Sequence, residues 1–275
     1  MFPYVNLFGK DISTYSIMAL IGALASGYIA CKITKEKGYD DNKTIVLLLI
    51  STVGVFFGGH ILYGITNINK LYLFIIHIGN TPDFDTFFAA VADIFGGSVF
   101  YGGLIGGIIA GYIYIKKKKL PLTVFSDIGA IIIPLFHFFG RIGCFLVGCC
   151  YGVESRIGFT YTQSLSETAN HVNRFPIQLV EASYNLCLFI LLFTLYKKNK
   201  MQGKILGLYL VLYPIGRFIF EFFRGDEYRG FLFGLSTSQI ISILLFIFGI
   251  FLLTKQKKDL SKWWIFFIFI KIIIS

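Results

Sequence analysis

Seven apolar stretches, each long enough to cross a bilayer, constrain this chain more than anything else in it. They run over about 13–33, 44–65, 98–115, 123–145, 177–196, 204–223 and 236–254. A helix rises about 1.5 Å per residue, so about 20 apolar residues span the hydrocarbon core. No water reaches that core, so each backbone N–H and C=O must pair within the chain, and segments of this length do so as helices. The pattern predicts an all-α integral membrane protein with seven transmembrane helices, forming a single domain over 1–275. Composition agrees: 56% of the residues are hydrophobic, 15% are charged, and the mean hydropathy is +0.73. Soluble domains carry about a quarter charged residues.

The connections carry the orientation. Lys32, Lys35, Lys37 and Lys43 follow the first span, Lys116 to Lys119 the third, Lys197, Lys198, Lys200 and Lys204 the fifth, and Lys255, Lys257, Lys258 and Lys262 the seventh. The alternate connections hold only Lys70, then Arg156 and Arg174, then Arg229. Lysine-rich loops stay cytoplasmic, which predicts the N-terminus outside and the C-terminus inside. Segments 66–97 and 151–176 are then extracytoplasmic loops, and 255–275 a cytoplasmic or interfacial tail. Its stretch "WWIFFIFIKIIIS" (263–275) is too brief to cross, and its tryptophans suit a short interfacial helix. The net charge of +10 sits in these loop lysines, where it reads as a topology signal rather than a nucleic-acid footprint. The first apolar stretch is longer than a typical signal-peptide core and is expected to be retained.

Ionisable side chains inside spans are costly unless paired or wetted, so they mark functional sites. On this topology they gather toward the outer ends. The first three spans place Tyr15, His60 and Tyr101 there. His137 and Arg141 lie four apart on the fourth span. Gln178, Glu181 and Asn185 form one stripe on the fifth. Tyr213, Arg217, Glu221 and Arg224 are spaced to share one face of the sixth. The expectation is a polar cavity whose fixed cations are Arg141, Arg217 and Arg224. Arginine suits bidentate binding of an anion such as a lipid phosphate. A set of interhelical ion pairs, including Arg217 with Glu221 along one helix, is the plainer alternative.

Two further patterns stand out. Gly102, Gly103, Gly106, Gly107 and Gly111 repeat at small-xxx-small spacing within a span, which reads as close helix packing. The five cysteines are Cys31, Cys144, Cys149, Cys150 and Cys187, without the C-x2-C pairs of a zinc ribbon. For Cys144, Cys149 and Cys150 the open readings are packing, a disulfide from Cys144 to one of the other two, altered chemistry, or a metal site, whose three or four ligands these cysteines and His137 could supply. The expectation for the site itself is no metal and no cofactor.

Five motifs in order resemble the prolipoprotein diacylglyceryl transferase family. "GRIGCFLVGCCYG" (140–152) is similar to its G-R-x-G-N-F-x-N-G-E-x-x-G loop, and "FYGGLIGG" (100–107) to its F-H-G-G-L-x-G. "RFPIQLVEA" (174–182) resembles R-H-P-x-Q-L-Y-E-A, "YPIGRFIFEFFRGDE" (213–227) resembles Y-x-x-x-R-F-x-x-E-F-x-R, and "GLSTSQIIS" (234–242) completes the set. The resemblance implies transfer of the diacylglyceryl group of phosphatidylglycerol to the lipobox cysteine of a prolipoprotein, with release of glycerol 1-phosphate. It implies headgroup binding and leaving-group stabilisation by Arg141 and Arg217, and it places Tyr15, Gly152 and Glu221 on site positions. The implied partners are phosphatidylglycerol, prolipoproteins and the bilayer of the bacterial cell membrane, without nucleic acid.

Read together, the expected catalytic residues are Arg141, Arg217, His137, Tyr101 and Glu221. The expected substrate-binding residues are Tyr15, Arg224, Gly152, Gln178, Glu181, Tyr213 and Cys144. Three positions depart from the family pattern: Tyr101 replaces a histidine, Cys144 an asparagine and Cys149 a glutamate. A tyrosine, with an ordinary pKa near about 10, is a poor base at neutral pH. His137 is therefore the expected source of the imidazole, with His60 second. Two readings stay open beside the family one: a divergent transferase for another glycerophospholipid, and a non-enzymatic lipid-binding or transport protein.

Overall fold

The computed structural model describes residues 2–7, 9–77, 83–226, 231–232 and 234–254. The expected interfacial helix at 263–275 lies outside them. The chain forms two compact units, one of residues 1–37 with 123–275 and one of 38–122.

The larger unit opens with a hairpin of β1 (Tyr4–Leu7) and β2 (Lys10–Ser13) leading into α1 (Thr14–Glu36). The smaller unit holds α2 (Asp41–Thr66), α3 (Ile68–His77), α4 (Phe84–Phe95) and α5 (Phe100–Lys117). The chain returns to the larger unit through α6 (Leu122–Val147). There follow a small antiparallel pair, β3 (Glu154–Thr160) with β4 (Asn173–Arg174), then α7 (Ile177–Lys197) and α8 (Ile205–Phe220). A second small pair, β5 (Phe231–Leu232) with β6 (Leu235–Ser236), leads into α9 (Thr237–Thr254).

Among the described residues six helices are long and apolar enough to cross a membrane: α1, α2, α6, α7, α9 and the run Ile205–Phe223 that contains α8. The seventh expected span, about 98–115, coincides with α5. It meets α4 at a 94° bend, and only the pair together passes as a span. Gly96 and Gly97 supply the break: a Cβ at Gly97 would enter the Tyr63 ring, and one at Gly96 would meet the Ala92 carbonyl. The connection expected at 66–97 carries the helices α3 and α4. Asp83 caps α4 by accepting from the Thr86 amide at 2.7 Å, and Lys70 of α3 pairs with Asp93 of α4 at 2.8 Å.

The burial pattern is that of a protein solvated by lipid. Leu24, Leu49, Phe56 and Ile61 are more than half exposed, whereas Thr34, Thr44, Asp127, Gln178, Glu181, Asn185 and Gln239 are buried. A water-soluble fold inverts that distribution. With lipid outside, polar groups are satisfied only inside. Asp127 on α6 does so by accepting from the amides of Gly203 (2.5 Å) and Leu206 (3.1 Å), which satisfies donors at the start of α8.

The glycine stripe packs helices, as its spacing predicts. Within the smaller unit, a Cβ at Gly58 would strike the Gly102 carbonyl, one at Gly102 the Gly58 carbonyl, and one at Gly106 the Gly54 carbonyl. Absent side chains let the backbones of α2 and α5 touch, where dispersion and weak Cα–H···O contacts replace the hydrophobic effect that lipid cannot supply.

Candidate active site

Four side chains in the larger unit form one buried ionic chain. Arg141 projects from α6 and donates its Nε to Glu181 of α7 at 2.5 Å. Arg217 of α8 approaches the other oxygen of Glu181 at 3.6 Å and pairs with Glu221 at 2.8 Å. Its Nη2 also donates to Ser238 Oγ, at the start of α9, at 2.9 Å. The Glu181 and Glu221 side chains are 4% and 3% exposed, against 21% for Arg141 and 13% for Arg217. Removing one partner from such a pair leaves an uncompensated buried charge, at a cost of about 3–5 kcal/mol. The carboxylates lie deeper than the guanidiniums, so they fix the arginines from behind while part of each arginine stays accessible.

Each of the three arginines expected as fixed cations has a carboxylate partner, and the expected Arg217–Glu221 pair along one helix is among them. Arg141 and Arg217 share Glu181, Arg217 also pairs with Glu221, and Arg224 binds Asp226 through two bonds of 2.9 and 2.5 Å. The expected single face of the sixth span breaks. Alpha-helix ends at Phe220, Glu221–Phe223 form a 3-10 turn, and Arg224 is extended at φ −84°, ψ 137°. Arg224 instead forms a β-bridge with Gly152. The segment around Gly152 is laced on both sides: Val153 N donates to Phe223 O at 3.0 Å, Gly225 N to Tyr151 O at 2.9 Å, and Phe175 N to Val153 O at 2.9 Å. A Cβ at Gly152 would collide with the Phe175 carbonyl, which is why glycine alone fits there.

The cysteine-bearing loop follows from how α6 stops. Gly148 N and Cys149 N both donate to the Cys144 carbonyl, at 2.9 and 3.1 Å. Gly148 takes φ +84° and Cys150 φ +54°, left-handed conformations that reverse the chain onto the helix end. The reversal carries Cys149 and Cys150 back to Cys144, and the three sulfurs lie within 4.8 Å of one another. All five cysteines are free thiols, so the disulfide reading is not realised. Nor does His137 join the sulfur group as a fourth donor. Hydrogen bonds from the Cys144 and Cys149 thiols, then the charges of Arg141 and Arg224, hold the Cys150 thiol below the ordinary range against the opposing effect of burial.

Gln178 is fully buried and secures this loop, its amide donating to the Cys149 carbonyl at 2.8 Å and to Tyr161 Oη at 3.0 Å. Burial in turn raises the Tyr161 phenol above its usual value. Arg174, the first residue of the "RFPIQLVEA" motif but not among the expected site residues, donates to the Thr168 carbonyl at 2.6 Å and lies 4.2 Å from the Tyr151 ring centroid. Arg174, Tyr161 and Ser238 are the supporting residues that sequence reasoning missed. Their partners are carbonyls and side chains brought together by the fold, and no periodicity signals them.

The remaining expected residues divide between the units. His137 sits one turn before Arg141, with its ring 5.7 Å from that of Tyr213, which stacks on Tyr209 at 5.3 Å. Tyr15 is 43% exposed and lies beside Gly143, where an added Cβ would come within 3.2 Å of the Tyr15 Cα. In the smaller unit, Tyr101 begins α5 with its ring edge-on to Phe100. There too His60 Nδ1 donates to the Phe95 carbonyl at 2.7 Å, tying α2 to the end of α4. That bond gives His60 a packing role within the smaller unit.

Comparison with known proteins bears on the same residues. The model of a family described as prolipoprotein diacylglyceryl transferase matches residues 3–255. The phosphatidylglycerol–prolipoprotein diacylglyceryl transferase of Clostridium tetani is 34% identical over 248 residues, covering 90% of this chain and 94% of its own. The protein so named, with the suffix 2, from Clostridium perfringens is 33% identical over 254 residues, covering 92% and 94%. That of Rickettsia bellii is 34% identical over 263 residues, covering 91% and 94%.

Proposed function

Because this chain belongs to the prolipoprotein diacylglyceryl transferase family, we propose that it transfers the diacylglyceryl group of phosphatidylglycerol to the cysteine thiol of a prolipoprotein. It acts as a multi-pass protein of the bacterial cell membrane, with the lysine-rich loops cytoplasmic and the arginine network toward the outer leaflet. The observation that carries the chemistry is the Arg141–Glu181–Arg217–Glu221 chain, in which buried carboxylates orient two partly accessible guanidiniums.

In the reaction a sulfur–carbon bond forms at the glyceryl carbon that bears the phosphoester, and that carbon–oxygen bond breaks. The electron pair leaves with the phosphate as glycerol 1-phosphate, and the thiol proton passes to a base. Arg141 and Arg217 hold the phosphate and stabilise the charge that grows on its leaving oxygen. Such preorganised donors are worth about 100- to 1000-fold each in rate. Glu181 and Glu221 fix the guanidiniums, so binding the lipid costs little reorganisation. His137, a helical turn from Arg141, takes the thiol proton, since the thiolate is the nucleophile. Tyr213 orients its ring. Tyr15, Gly152 and Arg224 shape the headgroup pocket. Gln178 and Cys144 support it through the loop that follows α6.

Expression in a bacterial strain whose own transferase has been depleted tests the proposal. Growth and lipoprotein modification should be restored by the native chain and not by R217A. Failure of a correctly inserted native chain to restore either contradicts it.

A further inference from the structure

No thiol of the three-cysteine group makes or breaks a bond in the transfer above, and two of its members stand where the family pattern has an asparagine and a glutamate. We propose that Cys144, Cys149 and Cys150 form a three-sulfur site for one thiophilic d10 metal ion, with Cu(I) the best match. The sequence suggested that Cys144, Cys149, Cys150 and His137 could supply the three or four ligands of a metal site, and the three sulfurs converge without the histidine.

The geometry fits three-coordination. Metal–sulfur bonds of about 2.3 Å place the sulfurs of a trigonal centre about 4.0 Å apart. The observed group lies within 4.8 Å, all three pairs included, so closing on an ion needs only sub-ångström adjustments. Thiolate donors select Cu(I) and zinc among the common metals. A structural zinc site takes four ligands, whereas Cu(I) accepts three. No histidine or carboxylate among the described residues joins the sulfurs as a fourth donor.

The surroundings suit the anionic centre that three thiolates and a monovalent ion would make. Arg141 precedes Cys144 by three residues on the same helical face. Arg141 and Arg224 both exert their positive charge on Cys150. The scaffold is also fixed beforehand: the left-handed turn at Gly148 and Cys150 sets the chain direction, and Gln178 pins the Cys149 carbonyl. Binding replaces sulfur–hydrogen bonds by sulfur–metal bonds, with the thiol protons released to solvent. No electron is transferred, so no oxidant or reductant takes part.

The test uses the full chain, purified in detergent under anaerobic, reducing conditions, stripped with a chelator and titrated with Cu(I) buffered by a competing chelator. The expected result is one Cu(I) per chain with three sulfur neighbours by X-ray absorption. Cys144, Cys149 and Cys150 should then be protected from maleimide, while Cys31 and Cys187 react as before. C149S and C150S should each weaken binding by at least about 100-fold, and C31S and C187S should leave it unchanged. Substoichiometric binding, two sulfur neighbours, a zinc-selective four-coordinate centre, or binding indifferent to C149S and C150S would each overturn the proposal. Maleimide protection in the native chain supplies a readout that does not depend on the variants folding. Because every readout is metal binding, failure here is separable from failure of the transferase assignment.

Discussion

At the scale of single residues, the account rests on what Glu181 does for two arginines at once. Replacing it by glutamine keeps the volume and removes the charge that Arg141 and Arg217 share. E181Q should therefore lower both activity and stability, the latter by about 3 kcal/mol, measured as unfolding in detergent. R141K tests geometry rather than charge. Lysine keeps the positive charge but loses the planar fork, so the transfer rate should fall by about 100-fold with little change in thermal stability. H137Q isolates the base: a loss of about 100-fold or more in rate is expected, and full retained activity would remove His137 from the mechanism. These residues were legible in the sequence because helical spacing aligned them, as with His137 and Arg141 or Arg217 and Glu221. The pairing of Arg224 with Asp226 was not, since it depends on α8 yielding to a 3-10 turn at Glu221. The grouping of three sulfurs was one of several open readings, and what decides it, positive φ at Gly148 and Cys150, is not written in the spacing.

Elements show which physical forces replace the hydrophobic effect inside a bilayer. Between α2 and α5 the contact is backbone against backbone, and a single side chain wedges it apart. G58V should destabilise the smaller unit by about 1–3 kcal/mol or more. The effect should appear as faster proteolysis between residues 38 and 122, while an alanine at Gly129, where an added Cβ meets nothing within 4 Å, should be tolerated. Hydropathy alone located six spanning helices to within a few residues. It did not show that 66–97 holds the short helices α3 and α4, or that the chain turns by 94° between α4 and α5. A window average of hydropathy carries no information about bends. The Asp127 bonds to the start of α8 were equally hidden, since their partners are backbone amides about 80 residues away.

For the whole molecule, the fold class and the family were both readable, since both reside in local strings: apolar runs, and motifs such as "GRIG" and "YPIGRFIFEFF". Orientation rests on the alternation of lysines. A membrane-impermeant thiol reagent, applied to intact cells, should label a cysteine placed at Ser155 but not one placed at Lys118. The central claim is that two carboxylate-held arginines make this chain a diacylglyceryl transferase. Its most direct test supplies the purified protein with phosphatidylglycerol and a lipobox peptide, and follows the peptide by mass spectrometry and the released glycerol phosphate in parallel. The account predicts a thioether-linked diacylglyceryl peptide and glycerol 1-phosphate in equal amounts, lost in R141A and R217A and retained in K117Q. Folded protein that forms neither product, or R141A and R217A variants that form both at the native rate, would contradict it.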